Sequence, residues 1–412
     1  MKAPVIQQRQ ILLNLFHQGG IQAGNMLLQL LLIPLVISRA GLELNGLFLM
    51  SASIASLLSM LINFGGNQTI PQEQHHTGFI RLEIGVRAVI FIVFTLLILT
   101  AAQLPFSISP YLVGIIPILL AEVINPYAFL LSQNRLRSFN LVNLLMRILA
   151  LLLVWQLMHQ PKDTPWVNAW VGLSLIPGYA YLLFDYCKKA EKRSTPFSVS
   201  GMMLRIRQNA PLVGGNLVVN LQQSFLLYVL GAMGKPVVLG LYALADKLVW
   251  SARTLLIAFS NAIYPVAIRV AKEGELSWKK FRSDTHRILT YIMIPSGLLL
   301  MLLAPWLGTL MAEKGDPLMI TVYIRWIAFV PLIMSLNVLN VLELLIRREF
   351  RVQLRINLHL LIFSVLISSF FLINVFYAPQ TNSWVNLFMP AYLLLMECIT
   401  LWQYEKHRHR TG

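Results

Sequence analysis

Apolar residues in this chain do not alternate with polar ones; they run together. Leu12 to Ser38 carries no charged side chain, and neither do Leu44 to Gln72, Gln208 to Gly234 or Ile288 to Ala312. Each run exceeds the roughly 20 apolar residues that cross a hydrocarbon core of about 30 Å as a helix. Charge clusters and Pro/Gly breaks divide the chain into twelve such spans. They lie near residues 11–37, 46–68, 82–103, 111–133, 138–159, 165–187, 206–232, 238–265, 286–311, 318–346, 354–376 and 384–404. The pattern predicts an all-α polytopic membrane protein of about twelve transmembrane helices. The first run is too long for a cleaved signal peptide and has few charges before it, so it reads as a retained helix.

Charge adds an orientation. With the N-terminus inside, 25 of the 33 Lys and Arg residues fall on the inner side, in the connections or at the inner ends of spans. Arg39, Lys162, Lys235 and Lys314 fall outside, and Arg147, Lys247, Arg253 and Arg325 fall within spans. That bias places both termini in the cytoplasm. It also accounts for the net charge of +16 without nucleic acid, because the cations sit in short clusters between apolar runs. Trp166, Trp170, Trp306 and Trp384 gather at outer ends and Trp402 at an inner one, as interfacial tryptophans do. Two cysteines, Cys187 and Cys398, give neither a disulfide framework nor a thiolate metal site.

The connection around 188–205 lies at the midpoint of the chain and predicts three segments. These are an N-terminal bundle of six helices over 1–190, a linker over 191–204 and a C-terminal bundle over 205–412. A second inner connection, 266–285, reads as a surface helix or a solvated basic loop. A weak internal repeat supports the division. Asn14, Gly19-Gly20 and Asn25 recur at the same offsets as Asn209, Gly214-Gly215 and Asn220, and "GLFLMSASI" (46–54) resembles "GLYALADKL" (240–248). Asp246 and Lys247 then stand where the first copy has Ala52 and Ser53. The scaffold itself therefore does not require those charges.

Ionised groups at membrane depth cost about 2.5–3.5 kcal/mol or more and usually face a bundle interior or a wet cavity. Asp246 and Arg253, seven residues apart, share a helix face, with Lys247 about 100° away. Lys247 and Arg253, with Arg325, are the cations expected to line a hydrated path for an anion. Glu122 and Arg147, on consecutive antiparallel spans, are placed to meet. Glu343 reads as an interfacial pair with Arg347, and Glu397 as a hydrated carboxylate. Counting Asp246 alone against Lys247, Arg253 and Arg325 leaves about two surplus positive charges in the second half. Asn14, Gln18, Gln22 and Asn25 on the first span, with Asn216 and Asn220 on the seventh, form a polar stripe suited to a lumen. No Walker A, GxSxG, HExxH or CxxC sequence occurs, and "QEQHH" (72–76) reads as a solvated loop rather than a metal site. No cofactor is implied, and nothing stands at catalytic spacing.

The segment "NLFHQGGIQAGNMLLQLLLIPLVISRAGLELNGLFLMSASIASLLSMLINFGGNQTI" resembles the first two helices of Wzx-type flippases. These belong to the multidrug/oligosaccharidyl-lipid/polysaccharide exporter (MOP) superfamily. "GLYALADKLVWSARTLLIAFSNAIYP" and "LIMSLNVLNVLELLIRREF" resemble that family's eighth and tenth helices. The resemblance implies two six-helix bundles around a V-shaped cavity in a bacterial inner membrane, as in MATE-like proteins, working by alternating access without enzymatic chemistry. It implies Arg147, Lys247, Arg253 and Arg325 as cavity cations toward an anionic substrate, and ion-gradient coupling with Asp246 or Glu122 as the titrating group. The implied cargo is a polyprenyl-pyrophosphate-linked oligosaccharide of O-antigen or lipopolysaccharide type, carried from the inner to the outer leaflet. Membrane lipids and other polysaccharide-assembly proteins are the implied partners. A multidrug–cation antiporter and a lipid II flippase are the alternatives within the superfamily. A membrane glycan polymerase or ligase is the alternative outside it, and the short outer loops count against it.

Overall fold

The computed structural model describes residues 24, 28, 30–70, 77–133, 135–189, 199–233, 236–311, 317–347, 349–377 and 383–411. The polar positions Asn14, Gln18, Gln22 and Asn25, the "QEQHH" segment and residues 191–198 of the expected linker lie outside the described residues.

Helices follow the apolar runs, because a helix satisfies every backbone N–H and C=O internally where no water is present. In chain order they are α1 (Leu30–Ala40), α2 (Leu42–Asn63), α3 (Thr77–Ala101), α4 (Ser109–Gly114), α5 (Ile116–Val123), α6 (Tyr127–Ser132), α7 (Leu136–Leu157) and α8 (Val167–Lys189). Then come α9 (Val199–Ala232), α10 (Pro236–Lys272), α11 (Glu275–Met311), α12 (Pro317–Ile327), α13 (Val330–Ile346), α14 (Phe350–Tyr377) and α15 (Ser383–Thr411). Among the described residues there is no β-strand, and nine helical segments are long and apolar enough to cross a membrane. The chain is a multi-pass, all-α membrane protein. Its lipid-facing surface is visible as an exposed apolar belt: Ile92, Leu96 and Leu97 on α3, and Leu298, Leu299 and Leu302 on α11, are each at least half exposed. Trp166, Trp306 and Trp402 are also exposed, as anchors at a membrane interface would be.

The fourth span of each half is broken. Residues 109–132 form three short helices, α4 to α6, with Pro117 in the first turn of α5 and Pro126 preceding α6. Residues 317–346 form α12 and α13, with Pro331 in the first turn of α13. Proline supplies no N–H and its ring clashes with the carbonyl of the preceding turn, so both spans restart at it. The expected loop or surface helix at 266–285 is absent. Instead α10 and α11, 37 residues each, run past the apolar zone and meet at a turn containing Gly274 at φ 121°. Charged residues there hide a helix that the apolar pattern alone cannot follow.

Two compact units result. One contains Leu47–Asn220 with the described part of Gly20–Ala40, and the other contains Leu221–Gly412 with Gly41–Gly46. Within the first, α8 packs on α5 so closely that a Cβ at Gly172 would lie 2.3 Å from the Ile118 nitrogen. Phe139 stacks on Tyr179 at 5.6 Å between ring centres, and Phe129 lies 5.4 Å from Tyr186, filling the core between α6, α7 and α8. Within the second, Gly46 and Gly240, the matched first positions of the two repeat segments, pack against each other. A Cβ on Gly46 would stand 2.7 Å from the Gly240 nitrogen, and one on Gly240 would stand 2.3 Å from the Leu42 carbonyl oxygen. Backbones approach this closely only where neither carries a side chain.

Candidate functional site

The mid-membrane charges of α10 gather with side chains from α13 and α15. Asp246 is buried, Lys247 is half-buried and Arg253 keeps 21% of its side chain exposed. Arg253 donates through Nη2 to Glu397 Oε1 at 2.6 Å. Asn337 Nδ2 donates to the other carboxylate oxygen at 3.1 Å and to the Glu397 carbonyl at 3.2 Å. Glu397, expected to be hydrated, is therefore buried and shared by two helices. A buried carboxylate is stable when paired and hydrogen-bonded, and both conditions are met here. Counted with Asp246 against Lys247, Arg253 and Arg325, Glu397 lowers the surplus positive charge from two units to one. The Arg253 guanidinium lies 5.8 Å over the Trp250 ring, one turn back on the same helix. Glu397 takes one terminal nitrogen of a five-donor fork, and the Arg253 side chain stays partly exposed.

The first unit holds a second polar cluster, built on the "NFGG" end of α2. Phe64 (φ 47°) and Gly65 (φ 79°) adopt left-handed conformations that turn the chain after Asn63. Asn63 Nδ2 then donates to Glu122 Oε1 at 2.9 Å, and Asn125 Nδ2 donates to Glu122 Oε2 at 2.9 Å. Arg87, 1% exposed, donates to the Asn125 carbonyl at 2.9 Å. Nearby, Arg205 of α9 donates to Glu83 Oε1 at 2.5 Å and to Thr69 Oγ1 at 3.1 Å. Asn209 donates to the Phe64 carbonyl at 3.0 Å and ties α9 to the same turn. Both oxygens of Glu122 are thus engaged by amides, and Arg147 is half-buried on α7.

The other expected residues fall as follows. Arg325 is exposed near the end of α12. Asn220 donates to Met60 Sδ and to the Asn216 carbonyl, each at 3.1 Å, so it tethers α9 to α2 within the first unit. Glu343 does pair with Arg347, at 2.8 Å. It also accepts from Arg282 of α11 at 2.6 Å, which makes it an interhelical link. The sequence reading missed Glu83, Arg205, Arg282, Asn337 and Glu397 as buried partners. Glu83 and Arg87, four apart at the start of an apolar run, were the one local signal available.

No family model matches this sequence, and no curated protein matches it. Solved structures do match. The inward-facing conformation of a multidrug resistance MATE family transporter of the MOP superfamily aligns with a TM-score of 0.70 at 12% identity, over 95% of this chain and 94% of that one. The chain has the MATE fold. The likeness extends to a mutant of the Vibrio cholerae MATE transporter VcmN, with a TM-score of 0.62 at 14% identity and 98% of each chain covered. A third protein of this fold is a MOP superfamily transporter from Pyrococcus furiosus, described as having a binding pocket of reverse polarity that suggests a different function. It aligns with a TM-score of 0.57 at 14% identity over 95% of both chains.

Proposed function

We propose that this MATE-fold protein is a flippase for an anionic lipid-linked glycan, a polyprenyl-pyrophosphate oligosaccharide of O-antigen type. It carries its cargo from the inner to the outer leaflet by alternating access, and ion-gradient coupling runs through Asp246 or Glu122. The observation that carries this reading is the state of Arg253. It is anchored by a single nitrogen to Glu397, and the remainder of its fork is available to an oxyanion. Guanidinium suits phosphate because its planar donors engage two oxygens at once. Lys247 lies on the same helix, and Arg325 adds an exposed cation on the same unit. The Pyrococcus furiosus protein shows that reverse pocket polarity has been described within this fold.

A second reading, a multidrug antiporter for cations, is favoured by the buried carboxylates Asp246 and Glu397 and by the multidrug transporters that share the fold. Reconstitution separates the two. Proteoliposomes carrying the chain are expected to translocate a fluorescent polyprenyl-pyrophosphate disaccharide, and Arg253→Ala is expected to stop it. Gradient-driven efflux of a cationic dye, with no movement of the pyrophosphate probe, would establish the second reading instead.

A further inference from the structure

A separate cavity of about 1120 Å³ opens at the cation-rich end of the second unit, between α11, α13 and α15. Its floor is an ion network. Arg282 donates to Glu343 at 2.6 Å, to Asn340 at 2.5 Å and to Glu405 at 3.0 Å. Arg347 holds Glu343 at 2.8 Å and Glu275 at 3.3 Å. The three carboxylates lining the cavity, Glu275, Glu343 and Glu405, are therefore all committed to Arg282 and Arg347. Two lining cations remain. Lys279 makes no ion pair among the described residues. Arg287 reaches only Asp284, at 4.0 Å with both side chains more than half exposed, a pairing worth little in water. Lys279, Ser283, Arg287 and Thr290 succeed one another at intervals of three and four, so they form one donor-rich strip along α11.

The strip leads directly into lipid-facing surface. Ile288, Tyr291 and Ile292 are 54%, 75% and 51% exposed, and the apolar belt of α11 continues from them. The cavity thus stands where a headgroup layer meets hydrocarbon. Basic pockets between helices at that depth bind anionic headgroups. We propose that this cavity seats the phosphate diester of an anionic phospholipid of the adjoining leaflet. Lys279 and Arg287 contact the phosphate, Ser283 and Thr290 donate to the headgroup, and the acyl chains lie along Ile288 and Ile292. The site does not depend on the cargo proposed above, because it uses none of the α10 charges.

Thermal unfolding of the purified full chain in dodecyl maltoside tests this with three additives: phosphatidylglycerol, phosphatidylcholine and inorganic phosphate. Phosphatidylglycerol is expected to raise Tm saturably and phosphatidylcholine to leave it unchanged. Lys279→Gln with Arg287→Gln is expected to weaken the phosphatidylglycerol response at least tenfold. Both side chains are exposed, so the unliganded Tm of that variant stays near wild type. Lys162→Gln with Lys188→Gln, both exposed in the first unit, removes the same two charges and is expected to respond as wild type. Native mass spectrometry of the wild-type chain supplies a readout independent of any variant: phosphatidylglycerol is expected to be retained in preference to phosphatidylcholine. Equal effects of the two lipids, or an undiminished response in the double variant, would overturn the proposal. Saturable stabilisation by inorganic phosphate alone would reassign the cavity to a soluble anion.

Discussion

Exchanging the partners of one ion pair separates a tie from a binding group. Arg253 and Glu397 meet at 2.6 Å with 21% and 12% of their side chains exposed. Arg253→Met leaves Glu397 buried with Asn337 as its one remaining side-chain donor. Breaking such a pair from one side costs about 3–5 kcal/mol; the partial exposure of Arg253 sets the expectation at the lower end, about 3 kcal/mol. Glu397→Gln should cost less, about 1–2 kcal/mol, since the amide oxygen still accepts from Arg253 or Asn337. The exchange Arg253→Glu with Glu397→Arg re-forms the pair and should recover most of the lost stability. It should not recover transport, because a carboxylate now occupies the position from which the guanidinium fork met the cargo. Unfolding in detergent and pyrophosphate-probe translocation in proteoliposomes measure the two quantities on the same preparations. Transport by the exchanged protein at the wild-type rate would show that Arg253 only holds helices together. Wild-type stability of Arg253→Met would show that the pair itself is not formed.

Three further outcomes are expected. Gly46→Val and Gly240→Val should each destabilise by about 1–3 kcal/mol, and together by less than the sum, because both force open one crossing; Gly214→Ala, with nothing within 4 Å of the added Cβ, should stay within about 1 kcal/mol of wild type in the same melts. Arg205→Met strands Glu83, 3% exposed, and should cost about 3–5 kcal/mol, most of it regained by Glu83→Leu with Arg205→Met. In a chain with Cys187 and Cys398 replaced by serine, an impermeant maleimide should label Lys162→Cys only from outside the cell and Lys279→Cys only from within; the opposite pattern would reverse the topology.

The all-α membrane class was legible because uninterrupted apolar runs have few other uses; of the twelve spans expected, nine stand as membrane-length helical segments among the described residues. The α10 charges were conspicuous for the same reason: three ionised groups in Asp246–Arg253 interrupt such a run. Their partner was not legible. Glu397 lies 144 residues from Arg253 and close to a basic tail, so by sequence it reads as a carboxylate near water. Glu343 was half-read, since Arg347 is four residues away on the same helix whereas Arg282 comes from another. The ends of α10 and α11 were misread because charged turns of a helix beyond the bilayer give no apolar signal. Periodicity reports which residues share a face, and buried ion pairs depend on which faces meet.

Arg39 counts against the charge bias that orients the chain, yet the fold absorbs it. Its Nη1 donates to the carbonyl of Trp155 at 2.5 Å and to that of Met158, where α7 comes to its end. Terminal helical carbonyls carry partial negative charge and lack partners within their own helix. This arginine therefore acts as a clasp between α1 and α7: it keeps its full charge, and the partial negative charge of the carbonyls offsets part of the cost of holding it there. A tally of cations by loop treats every guanidinium alike, whereas this one is committed to capping a helix end and so can sit on the side that the bias disfavours.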